Sequence, residues 1–333
     1  MDAQSLPKIL VTGPTGFIGK RLLYKLDEKD HRVRCLVRPP EELNMAVPLK
    51  NEPEIVYGDL LDPDSIEKAL DGIEVAYYLV HSMGGKSFRE MKAFEERDRK
   101  AAQNFVNAAD KVGLKRIIYL GGLGETADNI SPHLASRQEV GKILSSGRTK
   151  ATVLRAAVII GAGGAGFEIM RYLVERLPIM LCPKWIYTRS QPIAVENVLD
   201  YLAGALETTE TADDTFDIGG PEVLSYVDLM RMYARVRGLK RIIMGVPFFY
   251  TFLSTYWVAL ITPVPSGIVF PLAEGLRTPA VCRENRIQEL IPLQLINMDQ
   301  AICNALAEEE KGPGKLLSQQ SCFLNIVDPN RKK

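Results

Sequence analysis

The chain has 333 residues, with 41 Lys plus Arg set against 41 Asp plus Glu. That length suits one large α/β domain with an appended lobe, and the zero balance excludes a bulk nucleic-acid binder, which needs a strong positive excess. The 46% hydrophobic and 25% charged fractions exclude wholesale disorder.

Strands and helices alternate through the first half. Lys8 to Thr12 reads as a compact apolar strand. Phe17 to Leu26 follows with Ile18, Leu22, Leu23 and Leu26 at helical spacing. Arg32 to Arg38 and Glu54 to Asp59 are the second and third strands. Asp62 and Pro63 then open a helix as its N-cap and first residue. Val75 to Val80 is a fourth strand, Phe88 to Val112 a long helix, and Arg116 to Gly122 a fifth strand. His133 to Leu144 reads as a helix and Thr152 to Gly161 as a sixth strand. Continuous apolar strands alternating with helices predict right-handed crossovers and a parallel sheet covered on both faces. The fold class is therefore α/β, a Rossmann-type doubly wound parallel sheet with a smaller C-terminal α+β lobe.

Beyond Gly161 the pattern loosens. Pro192 to Leu206 reads as a strand feeding a helix. Asp214 to Gly238 gives a strand, a Gly-Gly-Pro turn and a helix capped by Ser225. The expected division assigns 1–160 and about 186–220 to a nucleotide-binding domain. A second lobe takes 161–185 and 221–310, and 311–333 is a loosely ordered tail. The residues Val246 to Ile261, VPFFYTFLSTYWVALI, form an apolar run too short for a span of about 20 residues. A buried or pocket-lining helix is expected there, with peripheral membrane contact as the alternative. Tyr250, Tyr256 and Trp257 within it either wall a substrate pocket or fill the lobe's core.

Gly13, Gly16 and Gly19 stand as G-x-x-G-x-x-G between the first strand and the first helix. The first glycine permits a tight turn, the second lets a pyrophosphate approach, and the third lets helix and strand pack closely. The helix N-terminus supplies free N–H groups for the phosphates. Thr15, Phe17 and Ile18 belong to the same loop and complete the expected phosphate site. The second strand ends in Arg38, where a carboxylate would serve NAD. A guanidinium suits a 2′-phosphate, and no carboxylate stands there to repel it. NADP(H) is therefore expected over NAD(H), with NAD(H) still possible. Asp59 and Leu60, after the third strand, are placed for the adenine edge; the alternative for Asp59 is a turn-capping role. Val80, His81 and Ser82 close the fourth strand, where strand ends line the cofactor crevice.

The segment TGPTGFIG, the Gly58-Asp59 pair and the strand–helix series that follows resemble the short-chain dehydrogenase/reductase superfamily. LRAAVIIG, QPIAVENV and FDIGGPEVLSYVDLM are similar to later elements of its extended and atypical branches. YLVHSM and YLGGLG look most like the atypical NAD(P)H-binding group, which includes NmrA-like proteins and a complex I accessory subunit. The resemblance implies an NAD(P)-dependent oxidoreductase with a Ser at the fifth strand and a Tyr-x-x-x-Lys on the next helix. Here the strand ends in Gly121 and Gly122, and His133 and Arg137 stand at the Tyr and Lys positions. Arg137 is expected to hold the nicotinamide ribose, and Gly121 to border it. His133 is open between a proton donor and a cofactor contact, with Arg137 lowering its pKa by like-charge repulsion. Ser82 is expected across the crevice as a hydrogen-bonding partner.

Two functions remain open at this level. One is an NADPH-dependent oxidoreductase or isomerase acting on a small apolar carbonyl compound. The other is a non-catalytic NAD(P)H-binding sensor or assembly factor. The charge-dense helix Phe88 to Phe105 is read as a solvated face, or alternatively as a homodimer interface. Cysteines 35, 182, 282, 303 and 322 are scattered with no C-x-x-C. Neither a disulfide framework nor a metal site is indicated, and a reducing compartment fits. The first apolar run follows Asp2 and stops early at Gly13, which is no secretory signal, so a cytoplasmic location is expected.

Overall fold

A computed structural model describes residues 8–81, 88–124, 130–246 and 261–311. The first strand, β1 (Ile9–Thr12), leads into α1 (Phe17–Glu28), β2 (Val33–Val37) and β3 (Glu54–Tyr57). Then come α2 (Pro63–Leu70), β4 (Val75–Tyr78), α3 (Phe88–Val112), β5 (Arg116–Gly122), α4 (Pro132–Leu144) and β6 (Lys150–Ala156). A short β7 (Ile159–Ile160) precedes α5 (Ala165–Arg176), β8 (Ile179–Pro183), β9 (Arg189–Ser190) and β10 (Ile193–Ala194). After α6 (Val195–Glu207) and β11 (Asp214–Ile218) come β12 (Leu224–Ser225), α7 (Tyr226–Val236) and β13 (Ile242–Val246). The last helices are α8 (Ser266–Gly275), α9 (Arg286–Leu290) and α10 (Met298–Lys311).

Seven parallel strands form the main sheet in the order β11-β6-β5-β4-β1-β2-β3. The order reverses between β1 and β4, and that reversal opens a crevice beyond their carboxyl ends. Strand alternation sends Ile9, Val11 and Tyr77 to one face, against Leu22, Leu26, Tyr201 and Leu202 of α1 and α6. Leu10, Ala76 and Tyr78 go to the other face, against Phe105, Ala109, Val140 and Leu144 of α3 and α4. Both faces are dry, which explains why these strands read as unbroken apolar runs.

The helix starts follow local chemistry. Asp62 accepts from the Asp64 N–H at the start of α2, and Ser131 accepts from Leu134 N–H at α4. Ser225 and Asp228 form a capping box on α7. The sixth strand ends at Ala156 instead of Gly161, because the chain leaves the sheet there and pairs again as β7 with β10. β11 returns to the main sheet. Its Asp217 carboxylate, buried beside Arg155 at 2.6 Å, also accepts from Arg283 N–H and so ties the later chain to the sheet edge.

The second lobe has its own core, in which Phe167, Met170 and Val174 of α5 meet Met230 and Tyr233 of α7 and Ile302 of α10. Two small sheets, β8 with β13 and β9 with β12, complete it. Most of the apolar run is outside the described residues, Tyr250, Tyr256 and Trp257 included, as is the tail from 312. Among the described residues no helix is long and apolar enough to cross a membrane. Cys35, Cys182 and Cys282 are free thiols, whereas Cys303 is disulfide-bonded, contrary to the expectation from spacing. A pairing made by tertiary folding leaves no trace in sequence spacing.

Candidate functional site

The turn after β1 is built by backbone needs. Gly13 has φ +67°, a left-handed conformation that disfavours any side chain. At Gly19 an added Cβ would stand 2.1 Å from the Gly13 carbonyl oxygen, so only glycine lets α1 approach the turn this closely. Gly16 is the N-cap of α1, with no side chain capping the helix and no acidic residue in its first turn. The N-termini of α2, α4 and α7 are each closed by a side-chain oxygen. α1 instead leaves N–H groups and positive dipole facing the crevice, which fits the pyrophosphate of a dinucleotide.

Two adjoining pockets share Gly13, Gly16, Leu79 and His81 and make one crevice. The adenosine-side pocket, about 320 Å³, is lined by Thr15, Arg38, Asp59, Leu60 and Val80. The second, about 400 Å³, is lined by Phe17, Ile18, Gly19, Gly121, His133 and Arg137, and by Leu123, Val158, Tyr226, Leu272 and Leu276. Every expected site residue except Ser82 therefore borders the crevice; Ser82 is outside the described residues. Among the described residues no group of His, Cys, Asp or Glu is arranged to hold a metal.

Arg38 is exposed at the rim of the adenosine pocket and pairs with Glu41 at 3.0 Å. Glu41 also accepts from Thr15 Oγ1 at 2.8 Å, and these bonds hold its carboxyl below the usual range. This corrects the expectation that no carboxylate stands near Arg38. A turn closed by Glu41 N–H donating to the Arg38 carbonyl folds the acid back, and the strand end taken alone does not reveal it. Asp59 lines the pocket while its Oδ1 accepts from Leu61 N–H, so it caps its own turn as well.

The charge-dense helix α3 also departs from expectation. Phe94, Arg97 and Ala101 line the adenosine pocket, and Asp98 is buried. Arg97 is exposed and lies 5.5 Å from the Phe94 ring centroid. Mixed charge along a helix reports average solvation and conceals the stripe that faces a ligand.

Asp98 Oδ2 lies 3.3 Å from His81 Nδ1. A carboxylate accepts, so the ring hydrogen sits on Nδ1 and Nε2 keeps its lone pair. Nε2 is buried with no hydrogen-bond partner among the described residues. Burial, then Arg137, lower the His81 pKa, while Asp98 opposes them. The His133 ring stacks obliquely on His81 at 4.8 Å between centroids. Burial is the largest cause that lowers the His133 pKa, to about 2, and His81 and Arg137 add to it. His133 is thus a neutral hydrogen-bonding ring at pH 7 and holds no spare proton.

Arg137 donates from Nη2 to the Leu120 carbonyl at 2.5 Å, and the Tyr119 hydroxyl donates to the Arg137 carbonyl at 3.0 Å. The first bond fixes the guanidinium at the end of β5, and the second ties the α4 backbone to the same strand. Tyr226, first residue of α7, brings a buried phenol whose pKa burial raises to about 12. In the sequence only its capping neighbour Ser225 stands out. Tyr226 shares an apolar stripe of α7 with Leu229, Met230 and Tyr233, spaced three and four residues apart, but nothing in the sequence shows that this stripe meets the crevice.

A parallel sheet reversed at β1/β4, an uncapped glycine helix and a crevice running past it define a dinucleotide-binding protein of Rossmann type. Residues 13–160 match the family of NAD(P)H-binding domains. That match takes in a little under half of the chain, the part that carries the glycine loop and β2 to β7. The chain is 32% identical over 123 residues to a 3 beta-hydroxysteroid dehydrogenase/Delta 5-->4-isomerase of Mycobacterium tuberculosis, covering 34% of this chain and 31% of that protein. The match thus spans about a third of that relative's length. Ceramide reductase of Caulobacter vibrioides is 24% identical over 250 residues, 72% of this chain and 73% of that one. The photosystem II assembly factor Ycf39 of Cyanophora paradoxa is 24% identical over 243 residues, 72% of this chain and 71% of that one. A short-chain dehydrogenase/reductase superfamily protein of Agrobacterium tumefaciens, solved with bound NAD, superposes with TM-score 0.66. It is 15% identical, with coverage of 91% of this chain and 97% of that chain.

Proposed function

We propose that this protein is an NADPH-dependent oxidoreductase, or an isomerase using the same hydride chemistry, acting on an apolar carbonyl compound. The observation that carries this reading is the second pocket, where the crevice runs from the glycine loop into a chamber walled by Leu123, Val158, Leu272 and Leu276. The nicotinamide supplies hydride chemistry when bound. Arg137, fixed at the end of β5, holds the nicotinamide ribose. The neutral rings of His81 and His133 line the entrance, where His81 Nε2 accepts from the hydroxyl of the alcohol form and His133 has one N–H to offer a carbonyl oxygen. Tyr226 keeps its proton at neutral pH and donates from the chamber wall. Arg38, with Arg97 across the pocket, favours a 2′-phosphate by charge-assisted bonds. Hydroxysteroid and ceramide, from which two relatives take their names, are apolar substrates that a chamber of this composition suits.

The test uses NADPH deuterated at the nicotinamide C4 with a panel of long-chain and steroidal ketones. Deuterium on the product's carbinol carbon supports the reading. NADPH binding with no transfer to any apolar ketone overturns it and favours the second reading, a non-catalytic NAD(P)H-binding assembly factor. That second reading draws on the absent tyrosine dyad, on the proton-poor His133 and on the Ycf39 likeness.

A further inference from the structure

The surface of the second lobe carries an apolar face that the reaction does not use. Of the large apolar side chains exposed to solvent, Ile179, Leu181, Tyr187, Ile242 and Met244 all lie on or beside the β8–β13 pair. The parallel register sets Ile179 opposite Ile242 and Leu181 opposite Met244. Met180 and Ile243, between them, point into the lobe's core. Strand alternation thus gives this small sheet one buried face and one outward face that is wholly apolar, where a soluble surface strand carries polar residues.

The two segments that carry this face are basic. Residues 176–190 and 235–246 contain Arg176, Lys184, Arg189, Arg235, Arg237, Lys240 and Arg241 but no Asp or Glu, in a chain balanced at 41 and 41. Arg235 and Arg237 reach carboxylates outside these segments, Asp299 and Glu175. Lys184, Arg189 and Lys240 are exposed and pair with no carboxylate among the described residues. The chain leaves this face at Val246, and the Arg176 guanidinium donates to the Ile261 carbonyl where it returns. The sequence between, 247–260, has no charged residue.

We infer that the β8–β13 face docks on the surface of a bilayer containing anionic phospholipid. Apolar side chains enter the headgroup boundary while the basic segments meet lipid phosphates. A second copy of the chain is the poorer occupant, because a two-fold contact would bring the basic segments against their own image. Docking of this face is independent of the proposed reaction, and its test uses no turnover.

Full-length protein is sedimented with vesicles of phosphatidylcholine alone and with vesicles of phosphatidylcholine and phosphatidylglycerol at about 3:1. The protein is expected to pellet with the anionic vesicles. Binding should weaken near 1 M salt, where the Debye length falls to about 3 Å. The double substitution Leu181→Glu and Met244→Glu changes only outward positions. It should weaken vesicle binding at least about tenfold, given the apolar burial it forfeits. Lys184→Glu with Lys240→Glu should remove the preference for anionic vesicles. NADPH binding, read on the other lobe, reports that each variant is folded. Protein left in the supernatant with anionic vesicles overturns the inference. So does vesicle binding that both double variants retain, which would assign the contact to 247–260 or elsewhere. A dimer dissociated by the first variant with no vesicle binding overturns it in favour of self-association.

Discussion

The two ends of the crevice are built on opposite principles. The adenosine end is charged and open: Arg38, Glu41 and Arg97 stand at its rim, and an ion pair that water screens holds Arg38 loosely to Glu41. The other end is walled mostly by apolar side chains, and its two histidines are neutral because burial, with Arg137 adding to it, makes the charged forms costly. Charge at one end is what the proposed preference for NADPH draws on. At the other, Arg137 is the charged side chain among apolar walls, and the neutral histidines lack the proton reservoir that a solvated histidine would bring. The loop glycines join the two ends, and there backbone geometry leaves no latitude at all.

The largest effect should come from that join. Gly19→Ala sets a Cβ 2.1 Å from the Gly13 carbonyl, a contact that only backbone movement relieves. Nucleotide binding should be lost, and stability should fall by about 1–3 kcal/mol or more, by analogy with overpacked cores. Calorimetry together with an NADPH titration checks both. At the apolar end, Arg137→Ala frees the Leu120 carbonyl and removes the expected ribose contact. NADPH affinity should drop about tenfold, the scale of one charge-assisted bond.

The neutral state of His133 makes a pH prediction. Its folded pKa, about 2, lies below the unfolded value of 6.5. The unfolded chain therefore binds the extra proton between those values, and stability rises with pH across that window. The contribution is complete above about pH 6.5 and is lost as pH falls toward 2. His133→Gln, which cannot take up the proton, should flatten the acid limb of urea-denaturation stability against pH below about 6.5. An unchanged limb would mean that His133 is solvated. The smallest effect belongs to the open end. Glu41→Gln removes a carboxylate beside the expected 2′-phosphate and should tighten NADPH binding a few-fold, with NADH less affected. The like-charge repulsion lost is only about 1 kcal/mol in a watery setting.

The same contrast decides what could be read in the sequence. The tight turn at Gly13 and the close approach at Gly19 declare themselves because they depend on backbone conformation, and Arg38 is found just past the strand that the apolar run marks. Local order carries that information. The α3 boundaries Phe88–Val112 and the capped starts at Asp62 and Ser225 are equally local. The Asp98–His81 contact joins residues 17 apart, on a helix whose composition reads as solvated, so only the tertiary fold reveals it. Glu41 is hidden by a turn, and Tyr226 by packing between lobes. The second lobe is assembled from short strands paired across long stretches of chain, such as β8 with β13. Periodicity over a few residues names such strands poorly.

In the proposed enzyme Arg38 selects NADPH through the 2′-phosphate. Fluorescence titration of the wild type and of Arg38→Ala with NADPH and NADH tests it directly. The wild type should bind NADPH about tenfold or more tightly than NADH, and Arg38→Ala should abolish that preference by weakening NADPH alone, the scale of charge-assisted bonding. Tighter binding of NADH by the wild type, or a preference for NADPH that survives the loss of Arg38, would contradict it.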